Sequence, residues 1–260
     1  MALKHGKSVA APRRDFLSVQ EEHQPVLVVV FLRGGADGLT LAPPHGDDAY
    51  HRARPTLAVS RADLHDLDGY IGLNKSLTGL MPLWENGHLA LHHGVGSADE
   101  TRSHFAAQDL MEHGGRIAGG WLARFLRSGS RQIGPLSSVA IGTTMPESLR
   151  GAPGGVVVQS VQEFTVGSDE VQSIGRLRKL YEVAEGPLGE AGRSTLDAIS
   201  RLRRLRSESG PAAPEPYPDS QLGRGMREIS RLIQAEVGLG ASTIDAVGSG
   251  LGWDTHFIQS

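Results

Sequence analysis

The sequence predicts an α/β fold, with a mostly parallel sheet and helices on both faces. The residues from Val26 to Leu32 form a continuous, largely β-branched apolar run, typical of a strand that is covered on both faces. This run enters a Gly-rich turn directly, and strand-like segments then alternate with helical ones. At 260 residues, the chain is long enough to bury one sizeable core. We therefore expect residues 25–260 to form a single domain and residues 1–24 a flexible arm.

The first half of the chain predicts four short elements after the opening strand. Asp48 to Arg54 should be a short helix and Thr56 to Val59 a brief strand. Leu77 to Glu85 carries apolar residues at helical spacing and ends at a helix-terminating Asn-Gly pair. The run from Leu89 to His93 predicts a second strand, which again leads into a Gly-rich loop.

The second half of the chain continues the same alternation. The predicted helices and strands, with one extended Pro-rich linker at 211–218, are these in chain order: helices at 103–112 and 121–127, strands at 139–141 and 156–158, a basic helical stretch at 173–208, a helix at 226–237 and a polar, Gly-rich strand region at 243–251. In the basic stretch, Leu196, Ile199 and Leu202 form a narrow apolar stripe among arginines. It is either a surface helix with one buried stripe or a surface for anions or acidic partners.

The composition excludes several classes of function. The net charge is −3 and aromatic residues make up 5% of the chain, so neither a basic field nor a stacking platform indicates nucleic-acid binding. The chain has no cysteine, which excludes disulfides, thiolate catalysis and Cys-ligated zinc. No apolar run approaches the ~20 residues that a membrane-spanning helix needs. A metal site would have to use His, Asp and Glu.

The N-terminal arm contains a pattern that is similar to an export signal. Residues 13–17, Arg-Arg-Asp-Phe-Leu, look like the core of a twin-arginine signal. Such a signal needs an apolar region of roughly 7–15 residues, whereas residues 18–24 are polar. The arm is either a degraded signal or a disordered basic tail.

Asp37 is the first candidate site residue. It lies in the Gly-rich turn that follows the opening strand, and ligands of open α/β sheets bind at the carboxyl ends of strands. A carboxylate there can coordinate a hard or borderline cation, with glycines allowing close approach of the backbone. The alternative is that Asp37 caps a helix or shapes the turn.

The second candidate is the start of the helix predicted at 103–112. Thr101 and Ser103 place hydroxyls where backbone N–H groups and the helix dipole stabilise an anion. This position suits a nucleophile that attacks phosphate or sulfate, with Arg102 binding the oxygens. An ordinary N-cap is the alternative.

The third candidate is the pair formed by Asp254 and His256. In extended backbone, residues i and i+2 share a face, so a carboxylate and an imidazole can reach one ion there. Asp-x-His pairs also occur by chance, and this pair alone is a weak signal.

Together, four ordered blocks resemble the DUF1501 family, an uncharacterised group within the alkaline phosphatase/sulfatase superfamily. The resemblance runs from about Val26 to the end of the chain. The blocks are residues 28–39 (VVVFLRGGADGL), residues 46–50 (GDDAY) with Arg54-Pro55, residues 101–105 (TRSHF) with Gln108, and residues 252–256 (GWDTH). Four blocks with fitting intervals are more specific than any one of them.

The resemblance implies an alkaline phosphatase-like α/β sandwich with a metal-assisted hydrolase site. Asp37 would match the metal ligand after the first strand, and Asp254 and His256 an Asp/His pair of ligands. Ser103 or Thr101 would lie near the nucleophile. The cofactors would be divalent ions (zinc, manganese or calcium), as a pair about 3.5–4 Å apart, and the substrate a small phosphate or sulfate ester.

The chain also departs from the family pattern. Members of the family continue past the Asp-Thr-His block to an Asp-His-Gly motif with further ligands, whereas this chain contains no Asp-His dipeptide. We therefore expect a chain truncated at its C-terminus, lacking the last part of the sheet. The family is typically exported by the twin-arginine route, but the missing apolar half of the signal leaves a cytoplasmic location open. Two functions follow: a metal-dependent phosphatase/sulfatase-like hydrolase with an incomplete site, or a non-catalytic binding or assembly protein. The oligomeric state stays open.

Overall fold

The protein is an α/β structure with a four-stranded parallel sheet flanked by helices. The computed structural model describes residues 25–100, 102–129, 133–161, 169–208, 217–247 and 253–254. The strands are β1 (Leu27–Arg33), β2 (Leu64–Asp66), β3 (Gly72–Asn74), β4 (Ser138–Ile141), β5 (Gly155–Val158) and β6 (Ala241–Val247). The main sheet has the order β1-β6-β4-β5, and β2 and β3 form a separate antiparallel pair.

Helices lie between most strands of the main sheet, but only a 3-10 turn separates β4 from β5. The helices are α1 (Gly38–Leu41), α2 (Asp48–Ala53), α3 (Met81–Glu85), α4 (His104–His113), α5 (Trp121–Ser128), α6 (Glu170–Val183), α7 (Gly186–Glu208) and α8 (Gln221–Gln234). Short 3-10 turns cover 61–63, 75–80 and 147–149. Among the described residues, no helix is both long and apolar enough to cross a membrane.

Helices pack on both faces of the sheet, as the sequence predicts. Val139 and Ala140 are neighbours in β4 and point to opposite faces because side chains alternate along a strand. Val139 packs with residues of α7 and α8, including Leu202 and Leu232, whereas Ala140 packs with Leu122 of α5. All five side chains are at most 2% exposed, so each face buries its own core.

The opening strand is less covered than its sequence indicates. β1 lies at one edge of the described sheet, and its side chains are half-buried, with Val30 40% exposed. The expectation of cover on both faces is therefore wrong. β6 is an inner strand, between β1 and β4, despite its polar residues. Its Ser242 is fully buried and donates its hydroxyl to the Val139 carbonyl at 2.8 Å.

Three other expectations about elements need correction. Residues 89–93 and 56–59 form no strand, since neither segment pairs with a ladder partner among the described residues. The basic stretch is two helices rather than one, because the chain turns at Gly186, where φ is +71°. Its apolar stripe is buried, since Leu196 and Ile199 pack against Ile174 of α6.

Candidate functional site

The candidate site lies at the carboxyl edge of the sheet, where β1 and β6 end side by side. Their parallel register pairs Arg33 with Val247, so the two strands end at the same level of the sheet. The turn after β1 has Gly34 at φ +124° and Gly35 at φ +135°, backbone conformations that favour glycine. The edge therefore collects segments that are distant in sequence, as expected for an open α/β sheet.

Asp37 is held by four hydrogen-bond donors. Its Oδ1 accepts from the Leu39 amide at 3.0 Å, which makes Asp37 the N-cap of α1, and its Oδ2 accepts from the Thr40 hydroxyl at 2.7 Å. Arg54 follows α2 and donates to both oxygens, with Nη1–Oδ1 at 3.0 Å. This hydrogen bonding raises the pKa of Arg54 above its usual value. A cation could bind Asp37 only if Arg54 withdrew.

Ser103 begins α4 as its N-cap. Its side chain accepts a hydrogen bond from the Ala106 amide at 3.4 Å, and both Ser103 and Arg102 are exposed. The hydroxyl therefore lies at the positive end of a ten-residue helix, where an anion is stabilised, and Arg102 directly precedes it in the chain. Thr101 lies outside the described residues.

His104 and Asp254 form a contact that the sequence did not predict. The His104 Nε2 atom lies 3.2 Å from the Asp254 Oδ2 atom, with side chains that are 46% and 13% exposed. Gly35 makes room for the imidazole, because a Cβ atom at Gly35 would lie 3.0 Å from the His104 Nδ1 atom. The one signal in the sequence was that His104 belongs to the same block as Ser103.

Trp253 anchors the segment that carries Asp254. Its backbone amide donates to the Arg33 carbonyl at 2.9 Å, and its indole Nε1 donates to the Ala246 carbonyl at 2.8 Å. These two bonds hold the backbone next to Asp254 at the ends of β1 and β6. His256 lies outside the described residues.

Arg33 links the sheet edge to α4. It donates twice to Asp245, with Nε–Oδ2 at 3.1 Å and Nη2–Oδ1 at 2.9 Å. Its Nη1 donates to Gln108 at 3.2 Å and to Glu112 at 2.9 Å. Burial opposes the charge, but the bonds to Glu112 and Asp245 prevail and raise the pKa of Arg33. The usable signal was the four-residue spacing of His104, Gln108 and Glu112, which places them on one helix face.

The predicted metal ligands fit a cation unequally. No group of three or more His, Asp and Glu side chains in the described part of the chain is arranged to hold a metal ion. The oxygens of Asp37 are engaged by Arg54 and by the start of α1, so they do not fit a cation as they stand. Asp254 fits better, since its carboxylate lies next to an imidazole, a borderline donor that zinc and manganese accept.

No protein-family model, no curated protein and no solved structure matches this chain.

Proposed function

We propose that the chain is a DUF1501-type protein of alkaline phosphatase-like fold, which hydrolyses a small phosphate or sulfate ester with the help of a divalent cation. One observation carries the proposal: the four sequence blocks that resemble the family meet at one edge of the sheet. The resemblance rests on residues in sequence order, and their convergence in space is independent of that order. Convergence of this kind is what a shared site requires.

Direct contacts join the blocks in pairs. Asp37 of the first block bonds Arg54 of the second. Arg33 of the first block bonds Gln108 of the third, and its carbonyl accepts from the Trp253 amide of the fourth. His104 and Asp254 join the third block to the fourth. Each block therefore touches at least one other, across up to about 220 residues of chain.

The described residues suggest how an ester would bind. The first turn of α4 offers backbone N–H groups to the oxygens of phosphate or sulfate, and exposed Arg102 adds a positive charge. The Ser103 hydroxyl lies at the same helix end. Its oxygen would bond to the phosphorus or sulfur atom as the alcohol of the ester leaves with a proton, and water would then release phosphate or sulfate and restore the hydroxyl. A bound divalent cation would stabilise the negative charge on the ester oxygens.

A second candidate function is non-catalytic binding or assembly. It is favoured by the way in which the charged groups at the edge neutralise one another. Arg54 is paired with Asp37, and Arg33 is paired with Asp245 and Glu112. These pairs hold the segments together, and they leave less of the charge that a substrate or metal would use.

Ester hydrolysis after metal loading tests the proposal. The full chain is stripped with a chelator, loaded with zinc, manganese or calcium, and assayed with p-nitrophenyl phosphate and p-nitrophenyl sulfate. We expect metal-dependent turnover that falls at least about 100-fold in Ser103→Asp and in Asp254→Asn. Ser103→Asp is chosen because aspartate keeps the helix cap and removes the hydroxyl.

The matched control is Asp219→Asn. Asp219 lies just before α8, and its exposed carboxylate pairs with Arg224 of that helix. The substitution should leave turnover unchanged. Absence of turnover with every metal and both esters would reject the hydrolase and leave the binding or assembly function. Turnover that survives Ser103→Asp and Asp254→Asn would reject this location of the site.

A further inference from the structure

We propose that the end of the helical hairpin formed by α6 and α7 binds a second copy of this chain, through an antiparallel two-fold pairing of the two α6 helices. The surface consists of residues 176–190, which we call the hairpin tip. This inference goes beyond the proposed ester hydrolysis and does not depend on it, because the hairpin tip contains none of the candidate site residues.

Helices α6 and α7 run antiparallel and are joined at both ends. Arg206 near the end of α7 pairs with Glu170 at the start of α6, with Nη2–Oε2 at 2.9 Å. At the other end, the Arg193 Nη1 atom donates to the Tyr181 carbonyl at 2.7 Å and to the Ala184 carbonyl at 3.0 Å. The position of the hairpin tip is therefore fixed by contacts between the two helices.

Three apolar side chains of the hairpin tip are exposed to solvent. Leu180 is 58% exposed, Val183 79% and Leu188 71%. Leu180 and Val183 lie three residues apart in α6, so they are neighbours on one face of that helix. Leu188 lies in the first turn of α7. A single exposed apolar residue is ordinary, whereas three so close together are typical of a surface that binds another protein.

The charges around these apolar residues change sign along the chain. Three basic residues precede Leu180 and three acidic residues follow it, and all six are exposed: Arg176, Arg178 and Lys179, then Glu182, Glu185 and Glu190. A partner molecule can therefore reach both groups. The hairpin tip is basic on one side of its apolar residues and acidic on the other, which makes it complementary to itself when one copy is reversed.

An antiparallel pairing uses this order of charges. A two-fold axis between residues 181 and 182 places Leu180 opposite Val183 of the second copy, and Val183 opposite its Leu180. The same axis places the basic residues 176–179 opposite residues 184–187 of the second copy, which include Glu185. A parallel pairing would instead bring like charges together, which is unfavourable. The charge pattern therefore selects the antiparallel arrangement and a second copy as the partner.

The size of the surface indicates how strong the dimer is. The hairpin tip is smaller than the roughly 20–30 residues a side that a stable interface uses. Its charged groups are exposed, and salt screens attraction between exposed charges. We therefore expect a weak, reversible dimer that dissociates as the salt concentration rises.

Sedimentation of the full chain over a range of concentrations tests the inference. We expect a monomer–dimer equilibrium whose dissociation constant rises at least about tenfold between about 50 mM and about 500 mM NaCl, and also in Val183→Ser. The matched control is Val171→Ser. Val171 lies on the same helix and is 72% exposed, but it is near the opposite end of α6. Its replacement should leave the dissociation constant unchanged.

Charge reversal tests the antiparallel arrangement. One variant combines Arg176→Glu with Lys179→Glu, and the other combines Glu182→Lys with Glu185→Lys. Each variant alone should be monomeric, because like charges would face one another, whereas an equal mixture should form a mixed dimer. Adding Val183→Ser to both variants should weaken that mixed dimer.

Three results would overturn the inference. They are a chain that stays monomeric at every concentration, a dimer that is as stable in Val183→Ser as in the unaltered chain, and charge-reversed variants that do not combine. Ester turnover has no part in these measurements, so a failure of the proposed hydrolase would leave the dimer standing.

Discussion

Arg54 bonds both carboxylate oxygens of Asp37 across the Gly-rich turn after β1. The two side chains are 15% and 21% exposed, so the pair is largely withdrawn from solvent. The contact joins the end of α2 to the start of α1, and it fixes the loop that begins the candidate site. The Asp37 carboxylate also caps α1. The contacts through which it stabilises the loop therefore compete with the binding of a cation to the same oxygens.

Arg54→Met should lower the free energy of unfolding by about 1–3 kcal/mol, because it leaves a shielded carboxylate without its charged partner. Urea unfolding measures the change. Arg52→Met is the control, since Arg52 is exposed in the last turn of α2 and its replacement should change stability by less than about 0.5 kcal/mol. Equal effects of the two substitutions would show that the ion pair adds nothing.

Arg33→Met should cost about 2–4 kcal/mol of stability, because it leaves the buried Glu112 carboxylate unpaired. Adding Glu112→Gln to this variant removes the unpaired charge and should recover part of the loss. A double-mutant cycle by chemical denaturation measures the coupling. Additive losses would contradict a direct Arg33–Glu112 interaction.

Gly35→Ala should destabilise the protein by about 1–3 kcal/mol and displace His104. Its φ of +135° is unfavourable for alanine, and the new Cβ atom would lie 3.0 Å from the imidazole. The melting temperature should decrease, and the imidazole NMR signals of His104 should shift. Gly38→Ala is the control. A Cβ atom at Gly38 would meet nothing within 4 Å, and Gly38 is the first residue of α1. A loss of stability with unshifted His104 signals would show that the turn does not set the position of His104.

Asp47→Asn should make the stability of the protein depend less on pH in the acid range. A hydrogen bond from the Ala49 amide at 2.7 Å, together with one from the Tyr70 hydroxyl at 2.9 Å, lowers the pKa of Asp47. A carboxyl whose folded pKa is depressed stabilises the protein above its unfolded pKa of about 3.9, and this contribution disappears as the pH falls through the folded pKa. Melting temperatures between pH 5 and pH 2 should therefore decline less steeply in the variant. Parallel curves would contradict the assignment.

Local signals predicted several elements well. The bounds expected for α2, α4 and α5 agree with the structure to within one or two residues, because capping residues and glycines mark their ends. β4 and β5 were also predicted, from short apolar runs between turn residues. Residues 89–93 have the same strand-like composition and form no strand, because pairing needs a partner that composition does not reveal.

For the site, the sequence indicated residues but not their partners. Asp37 and Ser103 could be recognised from their positions after a strand and before a helix, and both are N-caps in the structure. Arg54 is 17 residues from Asp37, and Asp254 is 150 residues from His104. No rule of sequence spacing relates residues at such separations. They come into contact only because the fold brings their elements together at the end of β1 and β6.

The sequence by itself determined the α/β class and the helices and strands whose ends carry caps, glycines or prolines. These properties depend on composition and on interactions within a few residues. Only the tertiary structure decided that polar β6 is an inner strand, that Arg54 neutralises Asp37 and that His104 contacts Asp254. Each of these depends on which surfaces bury one another, and a long-range contact of that kind is a property of the packed chain as a whole.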